Sequence, residues 1–137
     1  VDQAADPSDP VERLRRIALA LPEVTEKVSH GEVAFFCRRQ FVMLDEHHHR
    51  PEHDPPRLAA WCAAAPGMQA ELVGSDPGRF FVPPYVGHRG WVGVRLDEVD
   101  GHGPDWDEVA EIVTDAWRHV APVTLRRRLD ADAAPDD

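Results

Sequence analysis

Tyr85, His88 and Arg89 sit between two apolar runs in the segment FFVPPYVGHRGWVGVRLDEV, Phe80 to Val99. An aromatic ring, an imidazole and a guanidinium on a backbone stiffened by Pro83 and Pro84 have the makings of a binding surface. Trp91 follows at once and Trp61 lies in an earlier apolar run, so both can add flat apolar area. A second group of cations, Arg38 and Arg39, falls where the chain reverses between two apolar segments. Guanidinium groups at such tips can contact phosphate, whereas arginines at turns are more often simply solvated.

A different chemistry is suggested by His47, His48, His49 and His53, which are interleaved with Asp45, Glu46, Glu52 and Asp54. Imidazoles and carboxylates are ligands for zinc or nickel, which makes His47, His49 and His53 weak metal candidates. Their spacing is unspecific, and a solvated loop is the stronger reading, so no metal or other cofactor is expected. Ser29 and His30 have the atoms of a nucleophile and a base, but neighbours on a strand point to opposite faces. No Gly-rich phosphate loop, nucleophile elbow or HExxH pattern occurs. The expectation is a protein that binds and does not catalyse.

Charge narrows the choice of partner. The 137 residues carry 25 acids and 15 bases, a formal net charge of −10, but seven of the acids lie in residues 1–9 and 130–137. Residues 10–129 hold 18 acids and 15 bases, a net of −3, so the body is far less acidic than the whole chain but is not basic. The two ends are polar and Asp-rich and are expected to be flexible tails around a single domain at 10–129. No apolar run approaches membrane-spanning length and no secretory leader is evident, so a soluble cytoplasmic protein is expected, a monomer or a weak dimer. Cys37 and Cys62 lie in separate apolar segments and read as reduced core thiols. Fourteen arginines against one lysine, with abundant Ala and Asp, point to a high-GC genome.

The elements that must position these residues read as α+β, a two-layer arrangement of an antiparallel sheet with helices mainly on one face. Asp9, Pro10 and Glu12 start a first helix whose stripe is Val11, Leu14, Ile17, Ala18 and Leu21. Strands are expected at Val24–Ser29, Val33–Cys37 and Phe41–Leu44, the last two joined by a tight turn of Arg38, Arg39 and Gln40. After the polar stretch, Arg57–Cys62 reads as a strand or short helix, and Pro66 can open a helix running to about Gly74. Phe80–Val82 and Trp91–Leu96 are further strands. In the second, Val92, Val94 and Leu96 alternate with Trp91, Gly93 and Arg95, the period of a sheet with two distinct faces. Asp105 and Glu108 cap a long amphipathic helix through Val120, and Thr124–Leu129 adds a basic turn with Arg126, Arg127 and Arg128.

That order of elements, with LPEVTEKVSHGEVAFF at Leu21–Phe36, RFFVPPYVGHRGWVGVRLDEV at Arg79–Val99 and DWDEVAEIVTDAW at Asp105–Trp117, resembles the bacterial MmcQ/YjbR family. The resemblance covers roughly residues 10–129. It implies a compact α+β domain related in shape to frataxin, and a role described as DNA binding through a winged arrangement of hairpins. It implies no catalytic residues.

Two binding readings follow. In the DNA reading, Arg38, Arg39, His88 and Arg89 meet phosphates while Tyr85 or Trp91 stacks on an unpaired base. Against it stand the body's net negative charge and Asp97, Glu98 and Asp100 close behind the tip. In the second, a planar or anionic small molecule sits on the sheet face left free of helices. There some of Phe36, Trp61, Phe81 and Trp91 would line a pocket beside Tyr85, His88 and Arg89. The competing possibility is that these aromatics pack under loops or in a contact between copies.

Overall fold

The computed structural model describes residues 9–46 and 58–133; His47, His48, His49 and His53 lie outside the described residues. Asp9 accepts a hydrogen bond from the Val11 amide, Pro10 occupies the first turn, and helix α1 runs over Pro10–Leu19 with Leu14 and Ala18 buried. Six antiparallel strands follow, β1 (Thr25–Ser29), β2 (Glu32–Cys37), β3 (Arg39–Asp45), β4 (Ala59–Cys62), β5 (Phe80–Phe81) and β6 (Val92–Arg95), in the spatial order β1-β2-β3-β4-β6-β5. Helix α2 (Met68–Ser75) precedes β5. Helices α3 (Trp106–Val120) and α4 (Val123–Ala133) end the described chain. The architecture is the α+β one that the sequence predicts, with α3 lying against β3 and β4 and α1 packed on α3.

Several boundaries differ for identifiable reasons. The β1–β2 turn is His30–Gly31, both with positive φ (54° and 82°), the geometry of a two-residue hairpin whose twist matches its strands. The β2–β3 reversal is tighter than the expected Arg38–Gln40 turn: only Arg38 lies outside the strands, at φ 66°, while Arg39 and Gln40 already belong to β3. Arg38 is held there by an ion pair with Glu23 at 3.2 Å. The register then shifts, Phe35 opposing Val42 but Phe36 opposing Gln40, so β3 carries Phe41 as an extra residue. This bulge lets Phe41 and Val42 both be fully buried. The last helix is longer than the basic turn expected at Thr124–Leu129 and continues to Ala133.

The core is anchored at one backbone carbonyl. Pro22 O, just past α1, accepts the Trp117 indole N–H at 3.1 Å and the Cys37 thiol at 3.8 Å, joining α1, α3 and β2. Trp117 is wholly inaccessible. On the other side Arg79 is buried without a carboxylate contact: its guanidinium donates to the carbonyls of Arg95, Asp97 and His102 at 3.0, 2.7 and 2.7 Å. Those three acceptors satisfy the charge and pin the chain beyond β6.

Both cysteines are free and buried, as expected of reduced core thiols. Burial pushes the Cys62 thiol up to about 12 and raises that of Cys37, so neither forms appreciable thiolate near pH 8. A native sample titrated with a disulfide reagent at pH 8 is therefore expected to show no fast thiol, and both thiols should react in urea. A fast native reaction contradicts the packing. Trp117→Ala is expected to cost about 3–5 kcal/mol in urea unfolding, and Trp117→Phe, which loses the N–H to Pro22 O and part of the ring volume but keeps an aromatic ring, about 2–3 kcal/mol.

Candidate functional site

The sheet has an apolar interior on the side of α1 and α3, and on the other side a cavity of about 640 Å³ to which no α-helix residue contributes. Strand register explains its floor. Met43 of β3 lies opposite Trp61 of β4, and Trp61 lies opposite Gly93 of β6. Gly93 has no side chain because Phe81 occupies that space: a Cβ there would stand 2.4 Å from the Phe81 ring. Arg39 and Gln40 enter from the start of β3 at one end of the strands, and His30 from the β1–β2 turn at the other.

The wall is the Phe81–Trp91 loop, which contributes Tyr85, Val86, Arg89 and Trp91. Its conformation is held in three ways. Pro83 is buried, and Val86 N donates to Pro84 O at 2.6 Å across Tyr85, whose φ is 65°. A bulky residue in that left-handed turn is strained, and Tyr85 is 75% exposed at the mouth. Gly87 closes against Val82, where a Cβ would come within 2.6 Å of its side chain, and begins a single 3₁₀ turn, Gly87–Arg89. Gln69 of α2 then donates its side-chain N–H groups to Gly87 O at 2.9 Å and Trp91 O at 2.6 Å, clasping both ends of that turn. The Arg89 guanidinium lies over the Trp91 ring, 5.4 Å from its centroid.

Arg39, Gln40, Arg89 and Trp91 also line a smaller crevice of about 90 Å³, which Ala63, His119 and Val120 complete at the C-terminal end of α3. Among the described residues, no carboxylate lines either space. Among the described residues, Arg15, Arg38, Arg95 and Arg118 each pair with a carboxylate, but Arg39 and Arg89 do not. Two positive charges thus face a common hollow without internal neutralisation.

Of the residues singled out in the sequence, Arg39, Trp61, Tyr85, Arg89 and Trp91 come together around the cavity. Arg38 is turned to Glu23, and His88 is exposed and does not line the cavity. Phe81 lies across Gly93, and Phe36 faces Lys27, whose ammonium is 5.3 Å from its ring centroid. Sequence reasoning missed His30, Gln40, Met43 and the clasp Gln69. Alternation along β3 opposite Trp61 could have found Met43. Nothing local marks Gln69, whose partners lie 18 and 22 residues ahead. Among the described residues no group of three or more His, Cys, Asp or Glu side chains is placed to hold a metal, and no helix is long and apolar enough to cross a membrane.

Gln69→Leu keeps the bulk of the side chain and removes both donors. The expected result is faster hydrogen exchange across residues 87–91, from a local loss of about 1–3 kcal/mol, with the α3 amides unchanged. Unchanged exchange in the loop would show that the clasp is dispensable.

The fold and site geometry can be set beside known proteins. The sequence pattern of the YjbR family matches residues 19–119. A crystal structure of Deinococcus radiodurans protein DR2400, which carries a DUF419 domain, superposes with a TM-score of 0.65 at 20% identity, covering 91% of each chain. At that identity the likeness speaks for the fold alone. No curated protein matches the chain. The family match spans most of the domain, including both strands that flank the Phe81–Trp91 loop, and on that ground this chain belongs to the YjbR family.

Proposed function

We propose that this is a non-enzymatic, cytoplasmic binding protein that holds a flat, anionic small molecule on the helix-free face of its sheet. One observation carries the reading: a cavity of about 640 Å³ where Trp61, Trp91 and Tyr85 meet Arg39 and Arg89, with no carboxylate among the described residues that line it. Its size falls in the usual range for small-ligand sites, about 300–1,000 Å³. Aromatic and thioether groups supply flat, adaptable contact, and the two guanidinium groups supply charge and direction. Binding without catalysis fits a described lining in which His30 has no thiol, hydroxymethyl or carboxylate group beside it. The buried free thiols fit a reducing compartment.

The DNA role implied by the family resemblance draws less support from the same geometry. The hairpin it relies on turns on Arg38 alone, and Glu23 holds that arginine. Two unneutralised arginines beside a hollow suit one or two anionic groups better than a run of phosphates.

Intrinsic tryptophan fluorescence and thermal shift against a panel of flat metabolites test the proposal, because Trp61 and Trp91 report directly from the site. At least one anionic aromatic compound should raise Tm and quench emission, and Arg89→Gln should weaken it about tenfold. Mixed-sequence duplex DNA across a salt series is the counter-test. Tight binding that weakens steeply with salt, with no stabilising compound in the panel, would sink the proposal.

A further inference from the structure

The small crevice says more about the ligand than the large cavity does. It shares four lining residues with the cavity, Arg39, Gln40, Arg89 and Trp91, so the two spaces lie side by side and both arginines border each of them. Its volume, about 90 Å³, is a small fraction of the cavity's 640 Å³, which suits a compact charged group better than a second ring system. The donors gathered there are two guanidinium forks from different elements, the Gln40 amide and the His119 ring. One fork satisfies a planar carboxylate in bidentate fashion. Two forks set on separate strands and loops, with two further donors, exceed what a carboxylate accepts and match the three terminal oxygens of a phosphate.

Resting on the binding function proposed above, we infer that the crevice is a phosphate subsite and that the ligand is a flat aromatic group bearing one phosphate, the chemistry of a mononucleotide. The ring system lies over Trp61 and Met43 with Tyr85 at the mouth, and the phosphate lies between Arg39 and Arg89. Arg89 enters this arrangement with its guanidinium already oriented by the Trp91 ring. Arg38, the neighbour of Arg39 in sequence, takes no part, because it is tied to Glu23 at 3.2 Å.

The test uses the full chain and three matched probes, AMP, adenosine and adenosine-5′-carboxylic acid, at one fixed ionic strength by calorimetry or tryptophan quenching. AMP should bind at least about tenfold more tightly than adenosine, with the carboxylic acid between them. Arg39→Gln and Arg89→Gln should each remove most of the difference between AMP and adenosine while leaving adenosine binding in place. Arg38→Gln should leave it unchanged. Equal affinity for AMP and adenosine overturns the phosphate subsite while leaving the cavity a binding site for flat molecules. A carboxylic acid that matches or exceeds AMP overturns the assignment of phosphate, and an Arg38→Gln loss as large as that of Arg39→Gln shows diffuse charge attraction instead of a site. If none of the three binds, the mononucleotide class is wrong, and the wider panel decides the binding function independently.

Discussion

A six-stranded sheet has two faces to cover, and this chain has long amphipathic helices for one. Trp117 on α3, fixed to the Pro22 carbonyl, closes the first face over β3 and β4. On the second face, among the described residues, the loop between β5 and β6 walls the hollow floored by Met43 and Trp61. The shape of that hollow depends on how firmly the loop is held.

Firmness comes from three different kinds of constraint. Proline removes backbone freedom at two consecutive positions, Gly93 yields its side-chain space to the Phe81 ring, and Gln69 clasps both ends of the 3₁₀ turn. Together they hold Tyr85 in a left-handed turn that its side chain disfavours. Strain of this kind persists only where the surroundings over-determine the conformation, and here what it secures is an aromatic ring at the mouth of the cavity.

Local signals made much of this legible in the sequence. The caps of α1 and α3 are short-range patterns, and the alternation in Trp91–Leu96 correctly places Val92, Val94 and Leu96 in the core and Trp91 beside the cavity. Where Trp61 lies stayed open in the sequence, between lining a pocket beside the loop and packing under it, and the structure has it nearly buried yet at the cavity floor. What escaped was non-local. The bulge at Phe41 is a relation between two strands, and it decides that Arg39 and Gln40 begin β3 in place of forming a turn. Arg38 and Arg39 look equivalent in sequence, yet one is neutralised by Glu23 across the fold and the other faces the hollow. His30 reads as a turn residue, which it is, but strand order also brings that turn to the cavity rim.

Net charge is a poor guide to this site for a related reason. A body at −3 repels polyanions at long range, but screening confines that field to about 8–10 Å at physiological salt. Within that distance of the cavity, what counts is which arginines have kept their charge unneutralised. Most of the acids near this chain's arginines are spent in pairs such as Arg95 with Asp97 and Arg118 with Asp130. Arg39 and Arg89 are left over at one place, one of them braced by Trp91. Net charge and local charge therefore differ in sign here: the body is acidic as a whole, while the described lining of the hollow carries two arginines and no carboxylate.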